Sequence, residues 1–192
     1  MVKLVILGGS GSGKSSQAQR LCKYFDIPLI STGETLRKAI SSDKPLPDYA
    51  ELSDLGRHTQ PYLEAGELVP DEMMIELIRI RLNKPDVNFG WVLEGYPRTA
   101  FQAEELDFLL DDLGQKLNWA IYLQVPEAVM VSRSLGRSLP DDQPEIVQRR
   151  VELFYDRTIP ILEYYDRRRR LLTINGDQSP EQVQQNILTL LS

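Results

Sequence analysis

The chain has 192 residues, 42% hydrophobic and 26% charged, with 28 acidic against 22 basic side chains and a net charge of −6. That length supplies one sizeable core with small inserts, and the acidic balance excludes wholesale wrapping of nucleic acid, which needs a basic face. One cysteine (Cys22) and one histidine (His58) exclude an intramolecular disulfide, a thiolate zinc cluster and imidazole-rich metal sites.

No apolar stretch has the length of a membrane span, and "MVKLVILGG" is too short for a signal peptide, so a cytoplasmic protein is expected. Five short apolar runs read as strands: "VKLVIL" (2–7), "PLI" (28–30), "WVLE" (91–94), "WAIYLQV" (119–125) and "LLTI" (171–174). They lack polar alternation, which suits strands buried on both faces of a parallel sheet. Between them, Ala18, Leu21, Cys22 and Phe25, then Met74, Leu77 and Ile78, then Leu106, Leu109, Leu110 and Leu113 recur at helical spacing. Strands alternating with helices predict an α/β, three-layer fold around a parallel sheet of about five strands.

Start and stop signals agree. Asp71 is placed to cap the helix bearing Met74, and Thr99 the one bearing Leu106. "SPEQ" (179–182) reads as a capping box, with Ser179 as cap, Pro180 in the first turn and Gln182 at the third position. Pro160 predicts a kink or two abutting helices within 144–169. The segments 41–52 and 135–144, polar and proline-bearing, read as loops or inserts. "RRRR" (167–170) reads as a solvated charge run at a helix end, where cations complement the dipole, and His58 as a surface residue.

Gly8, Gly13, Lys14 and Ser15 fill G-x-x-x-x-G-K-[ST] directly after a strand and ahead of a helix. Glycines let successive N–H groups turn around an anion at the positive end of the helix. Lys14 brings a mobile charge to the outer phosphates and Ser15 a hydroxyl to Mg²⁺. This is a P-loop, but a P-loop does not say what accepts the phosphoryl group. A guanine-reading motif is absent; Asn83-Lys84-Pro85-Asp86 sits at a helix end, not after a strand.

Two further segments carry the acceptor side. "ISTGETLRKAI" (30–40) puts Thr32 and Gly33 at a strand-to-helix junction with Arg37 one turn on. "LEGYPRTAFQAEEL" (93–106) places Glu94 at a strand end, then a turn, then Arg98 and Gln102. Strand carboxyl ends line the ligand crevice of a parallel sheet, so these residues converge on the P-loop. Two arginines there point to a second anionic ligand, because guanidinium forks grip phosphate oxygens in pairs.

"GGSGSGKSSQAQRL", "ISTGETLR", "EAGELVPDEMM", "LEGYPRTAFQAEEL" and "NGDQSPEQV", in this order across nearly the whole chain, resemble adenylate kinases of the short-lid type. The resemblance implies transfer of the γ-phosphoryl group of ATP to AMP, giving two ADP, with Mg²⁺ bound alongside ATP and no structural zinc. It implies a single kinase domain over 1–192, with an AMP-binding insert at about 31–69 and a short lid at about 134–144. It also implies a monomer that binds neither nucleic acid nor membrane.

Carried over position by position, the resemblance makes Lys14, Arg98, Arg137 and Arg150 the catalytic cations. ATP falls to Gly11, Ser12, Gly13, Lys14, Ser15, Ser16, Arg133 and Arg137, with Thr173 to Gly176 against its base. AMP falls to Thr32, Arg37, Glu67, Leu68, Val69, Gly95, Tyr96, Pro97, Arg98, Gln102 and Arg150. Gln102 resembles the glutamine that reads adenine, and Asp141 and Asp142 the acidic pair of the lid. Ser15 and, through water, Glu94 are expected at the Mg²⁺. Arg149 should face away from Arg150 on its helix.

Three departures from the family pattern stand out. Glu94 replaces a common Asp, 41–52 is longer than usual, and Leu139 stands where many relatives carry an arginine. The reaction asks for no nucleophilic side chain, since a phosphate monoester with a second pKa of about 6 is already largely dianionic at neutral pH. Catalysis must come from alignment, charge neutralisation and exclusion of water. The rival readings are a UMP/CMP-type kinase and an adenine-nucleotide sensor that turns over poorly.

Overall fold

The computed structural model describes residues 1–41, 50–65, 69–136 and 143–192. Each apolar run that reads as a strand forms one: β1 (Val2–Leu7), β2 (Leu29–Ser31), β3 (Gly90–Glu94), β4 (Trp119–Gln124) and β5 (Leu171–Asn175). They pair in parallel in the order β2-β3-β1-β4-β5, with Ile6 opposite both Glu94 and Ile121. β1 is therefore central, and its carboxyl end opens between β3 and β4.

Side-chain alternation along β1 builds two cores. Leu4 and Ile6 face one way, onto Ala18 and Leu21 of α1 (Lys14–Phe25) and Val183 and Ile187 of α8 (Pro180–Leu191). Val5 and Leu7 face the other way, with Trp91, Leu93 and Tyr122, onto α4 (Asp71–Leu82), α5 (Ala100–Asp112) and α7 (Pro144–Arg167). Val92 and Leu93 divide β3 in the same manner. Both faces of the sheet are covered, which is why its strands read as unbroken apolar runs. The remaining helices are α2 (Thr32–Ser41), α3 (Ala50–Glu64) and α6 (Glu127–Gly136), with a 3₁₀ turn at Pro85–Val87.

Several local expectations hold and others do not. Thr99 Oγ1 accepts from the Gln102 N–H at 3.1 Å, and Ser179 Oγ from the Gln182 N–H at 3.2 Å, so both caps form. Only half of the capping box at 179–182 is made, because the Gln182 amide turns to Asn186 at 3.0 Å. Asp71 is not a cap. Pro70 takes that position and Asp71 is the first helical residue, leaving its carboxylate available to another element. α7 runs through Pro160 as one helix, not two. Pro160 has no N–H to give the Asp156 carbonyl, and both residues are exposed.

The inserts are narrower than the sequence predicts. Ser41, residues 50–52, residues 135–136 and Pro144 are helical, and the rest of 41–52 and 135–144, apart from Gln143, lies outside the described residues. α3, which nothing in the sequence reading anticipates, packs a buried Gly56 and Thr59 inward while His58 stays exposed, as expected. The arginine run is not uniformly solvated either. Arg170 makes a two-pronged pair with Asp107 at 3.0 and 2.6 Å, and the Arg168 guanidinium lies 3.5 Å from the centre of the Tyr164 ring.

Candidate active site

The turn from β1 into α1 closes on Gly13, which takes the N-cap position at φ 89°, a left-handed conformation that glycine alone adopts without strain. The Ser12 N–H bonds back to the Gly9 carbonyl at 3.0 Å, tightening the loop around the helix start. Lys14 Nζ donates to the Gly8 carbonyl at 3.1 Å, so the ammonium lies folded over the loop it belongs to. One residue on, Ser15 Oγ donates to Glu94 Oε1 at 3.4 Å, joining the start of α1 to the end of β3.

β3 ends in a second tight turn. Gly95 has φ 91°, and a Cβ there would stand 2.5 Å from Thr32 Oγ1. Only glycine lets the β3 and β2 ends approach so closely, and Thr32 is buried beneath it. The Tyr96–Pro97 peptide is cis. Arg98 then turns back, its Nε donating to the Gly95 carbonyl at 3.1 Å. As a residue Arg98 is exposed, yet its guanidinium lies inside the concave wall of the crevice. That enclosure holds its pKa below the ordinary arginine value; Glu94 opposes the shift, and the Arg157 guanidinium adds to it.

Three cavities run in line along the carboxyl edge of the sheet. One of about 520 Å³ is walled by the P-loop from Gly9 to Gln17, by Arg133 and by Gly176. A second, of about 410 Å³, is walled by Gly8 to Ser10, Lys14, Glu94 to Arg98 and the α7 face bearing Arg150, Phe154 and Arg157. The third, of about 130 Å³, lies between Thr32, Val69, Met74, Gly95, Tyr96 and Gln102. Lys14 is common to the first two and Arg98 to the last two, so the three make one crevice with a cation at each junction.

Most of the residues expected from the sequence meet here. Gly11, Ser12, Gly13, Ser15, Ser16, Arg133 and Gly176 line the P-loop cavity, and Arg133 donates to the Gly11 and Gly176 carbonyls at 3.3 Å. Pro97, Arg150 and Glu94 line the middle one, and Arg149 is exposed beside it. Val69, Gly95, Tyr96 and Gln102 line the third. Arg37 is exposed on α2 with its guanidinium over Gly33. Thr173 stands apart, exposed within β5 and three positions short of Gly176, and it lines none of these cavities. Glu67, Leu68, Arg137, Leu139, Asp141 and Asp142 lie outside the described residues.

The sequence reading missed Arg157. It has no carboxylate partner among the described residues and faces the crevice two helical turns after Arg150. A seven-residue spacing on one helix was the available signal. Gln178, Pro180 and Val183, which wall the P-loop cavity on the α8 side, were also missed. No group of three His, Cys, Asp or Glu able to hold a metal ion occurs among the described residues. Ser15 and Glu94 do supply adjacent hard oxygen donors beside Lys14, which suits a Mg²⁺ held chiefly by nucleotide phosphates.

A sequence profile of the adenylate kinase family matches residues 6–170. Adenylate kinase 2 of Nostoc sp. is 79% identical over 190 residues, spanning 99% of this chain and 98% of that protein. Adenylate kinase 2 of Synechocystis sp. is 52% identical over 190 residues, covering 99% of this chain and 100% of its own length. The adenylate kinase of Gloeobacter violaceus is 34% identical over 224 residues, with 98% of each chain covered.

Proposed function

The chain belongs to the adenylate kinase family, and from that premise we propose how its crevice divides the work of phosphoryl transfer. The reaction is the reversible transfer of the γ-phosphoryl group of ATP to AMP, giving two ADP. ATP occupies the P-loop cavity, with its phosphates in the loop and its base toward Arg133 and Gly176. AMP occupies the third cavity, its base against Gln102 and its phosphate at Arg98. The migrating group crosses the middle cavity. The observation that carries this arrangement is the sharing of Lys14 and Arg98 between neighbouring cavities.

Each side chain then has a charge to meet. Lys14 leaves the Gly8 carbonyl for the outer phosphates of ATP, where an ammonium is a mobile point charge. Arg98 grips the AMP phosphate, and Arg150 and Arg157 approach the migrating group from α7. Cations on both sides offset the repulsion between two polyanions and stabilise charge spread over the transferred oxygens. Ser15 and Glu94, the latter through water, would hold a Mg²⁺ bound with ATP, which would neutralise phosphate charge. No general base is required.

Residues 1–192 act as one kinase domain, with the AMP insert at about 31–69 and the lid at about 134–144 closing over the substrates to exclude water. Glu67, Leu68 and Arg37 join the nucleotide contacts, and Arg137 the catalytic cations, in the closed form, whereas Thr173, paired within β5, stays apart from them. The enzyme works as a monomer in the cytoplasm, without nucleic acid or membrane; no helix among the described residues is long and apolar enough to cross one.

The test is Mg-ATP offered with AMP, UMP, CMP, GMP and IMP, following diphosphate formation and phosphate release separately. Fast ADP formation from AMP alone, with negligible phosphate release, is expected. Preference for UMP or CMP, or ATP consumption without an acceptor, overturns the assignment of the third cavity to AMP.

A further inference from the structure

We propose that Asp71 is a positioning residue that sets which base the acceptor cavity takes, by locking the side-chain amide of Gln102 in one of its two orientations. The proposal deepens the reading of Gln102 as the residue that meets the base, and it rests on that reading.

Gln102 is only 5% exposed, and its amide is held at both ends. Its Nε2 donates to Asp71 Oδ1 at 2.8 Å, and its Oε1 accepts from the Arg98 backbone N–H at 2.7 Å. The two partners are one-directional. A carboxylate only accepts and a backbone N–H only donates. Turning the amide over would set oxygen against oxygen and N–H against N–H, losing both bonds in a buried place. The backbone around it is pinned as well. The Gln102 N–H bonds to Thr99 Oγ1 at 3.1 Å, and the buried Tyr96 hydroxyl donates to the Gln102 carbonyl at 3.2 Å.

Asp71 is suited to this task by the feature that disqualifies it as a cap. It opens α4, where the helix dipole favours a carboxylate, and its side chain reaches across 31 positions of sequence to α5. Both residues line the third cavity.

With two of its four hydrogen-bonding positions taken, the amide keeps one N–H and one oxygen lone pair for a ligand. The locked orientation fixes which of the two lies where. Adenine presents an acceptor at N1 beside a donor at the 6-amino group, and that edge is matched. Hypoxanthine, guanine and uracil present the reverse, a ring N–H beside a carbonyl, and would need the amide turned over. Cytosine presents the same order as adenine, so Asp71 does not exclude it; the smaller ring must be rejected by fit.

IMP is the discriminating probe, because it differs from AMP only along that edge. In the full-length protein with Mg-ATP, kcat/KM for AMP and IMP is measured for the wild type, Asp71→Asn, Asp71→Ala and Gln102→Ala. Asparagine keeps the shape at position 71 but can donate as well as accept, so the amide is released. The expected result is an AMP-to-IMP preference lowered about tenfold or more in Asp71→Asn, with the KM for ATP unchanged. Asp71→Ala must lower the preference too, and it serves if asparagine disturbs the start of α4. An undiminished preference in both folded Asp71 variants, together with its collapse in Gln102→Ala, overturns the role of Asp71 and leaves the reading of Gln102 standing. An undiminished preference in all three variants overturns that reading as well.

Discussion

Ser15 Oγ lies 3.4 Å from Glu94 Oε1, so the first turn of α1 and the last residue of β3 present a hydroxyl and a carboxylate to the same point in the crevice. Their register follows from the sheet: Glu94 pairs with Ile6 on β1, two residues before the P-loop begins. Glu94→Ala should leave the fold unchanged, since the side chain is half-exposed and outside both cores. The Mg²⁺ concentration for half-maximal rate should rise about tenfold or more, the usual scale for losing an outer-sphere ligand. Titrating activity against Mg²⁺ at fixed ATP checks this, and an unchanged midpoint removes Glu94 from the metal site.

Lys14→Ala removes the cation common to the ATP cavity and the transfer cavity. Because Lys14 lies outside both hydrophobic cores, folding should be normal by circular dichroism. Turnover should fall by about two to three orders of magnitude, the scale for losing a charge contact made in the transition state. Near-normal turnover in a folded variant contradicts the P-loop role.

Much of this was legible in the sequence because the sheet is covered on both faces. Short continuous apolar runs such as "WAIYLQV" suit strands buried on both faces, and the P-loop pattern fixes its own local geometry. α3 was passed over because its described inward positions mix Gly56 and Thr59 with Leu55, and Pro61 interrupts the pattern. Asp71 misled for a related reason. A polar residue after Pro70 looks like a cap, whereas its partner Gln102 is distant in sequence. Arg157 was passed over because an isolated arginine on a helix is normally an exposed ion pair. Only the packing of α7 against the crevice shows that it faces Arg98.

The Arg157 charge works against that of Arg98, and the Glu94 carboxylate beside Arg98 offsets it only in part. Arg157→Gln should therefore leave the thermal stability of the nucleotide-free protein unchanged or slightly higher. The same change should lower kcat/KM for AMP by about tenfold, less than for Arg98→Ala, since redundant arginines share their effect. A melting curve and steady-state kinetics on one preparation test both halves. Lower stability with unchanged kinetics would make Arg157 a structural residue.

Cys22 is half-buried on α1, and burial pushes its thiol up to about 11, against a smaller opposing hydrogen bond from the Val92 backbone. At pH 8 only about one part in a thousand is thiolate, the reactive form. Alkylation by iodoacetamide, followed by intact mass, should be slow at pH 8 and rise about tenfold per pH unit toward pH 10. Labelling at pH 8 at the rate of a free thiol would show that α1 opens readily.

Asp107 on α5 ties two elements to the far edge of the sheet. It accepts both prongs of Arg170, just before β5, and the Tyr164 hydroxyl from α7. Asp107 and Arg170 are about one-fifth exposed, with side-chain accessibilities of 23% and 22%, so water screens the pair only in part. Asp107→Ala strands a half-buried guanidinium and a phenol, and should cost about 2 kcal/mol, below the figure for a fully buried pair. For a chain of this length that is a fall in Tm of about 4–8 °C. The phenol gives a second readout. Desolvation, then the hydrogen bond and charge of Asp107, raise Tyr164 from an ordinary value of 10.0 to about 12. A raised pKa means that the folded state holds the proton more tightly than the unfolded chain. Its contribution is complete below pH 10 and is lost as pH climbs through about 12. Urea unfolding of the wild type should therefore weaken across that alkaline window, and Asp107→Ala should show a shallower decline, with Tyr164 titrating closer to 10 in ultraviolet difference spectra. An identical alkaline decline in the variant would mean that other buried tyrosines, such as Tyr96 and Tyr165, carry the effect and that Asp107 does not hold the Tyr164 proton.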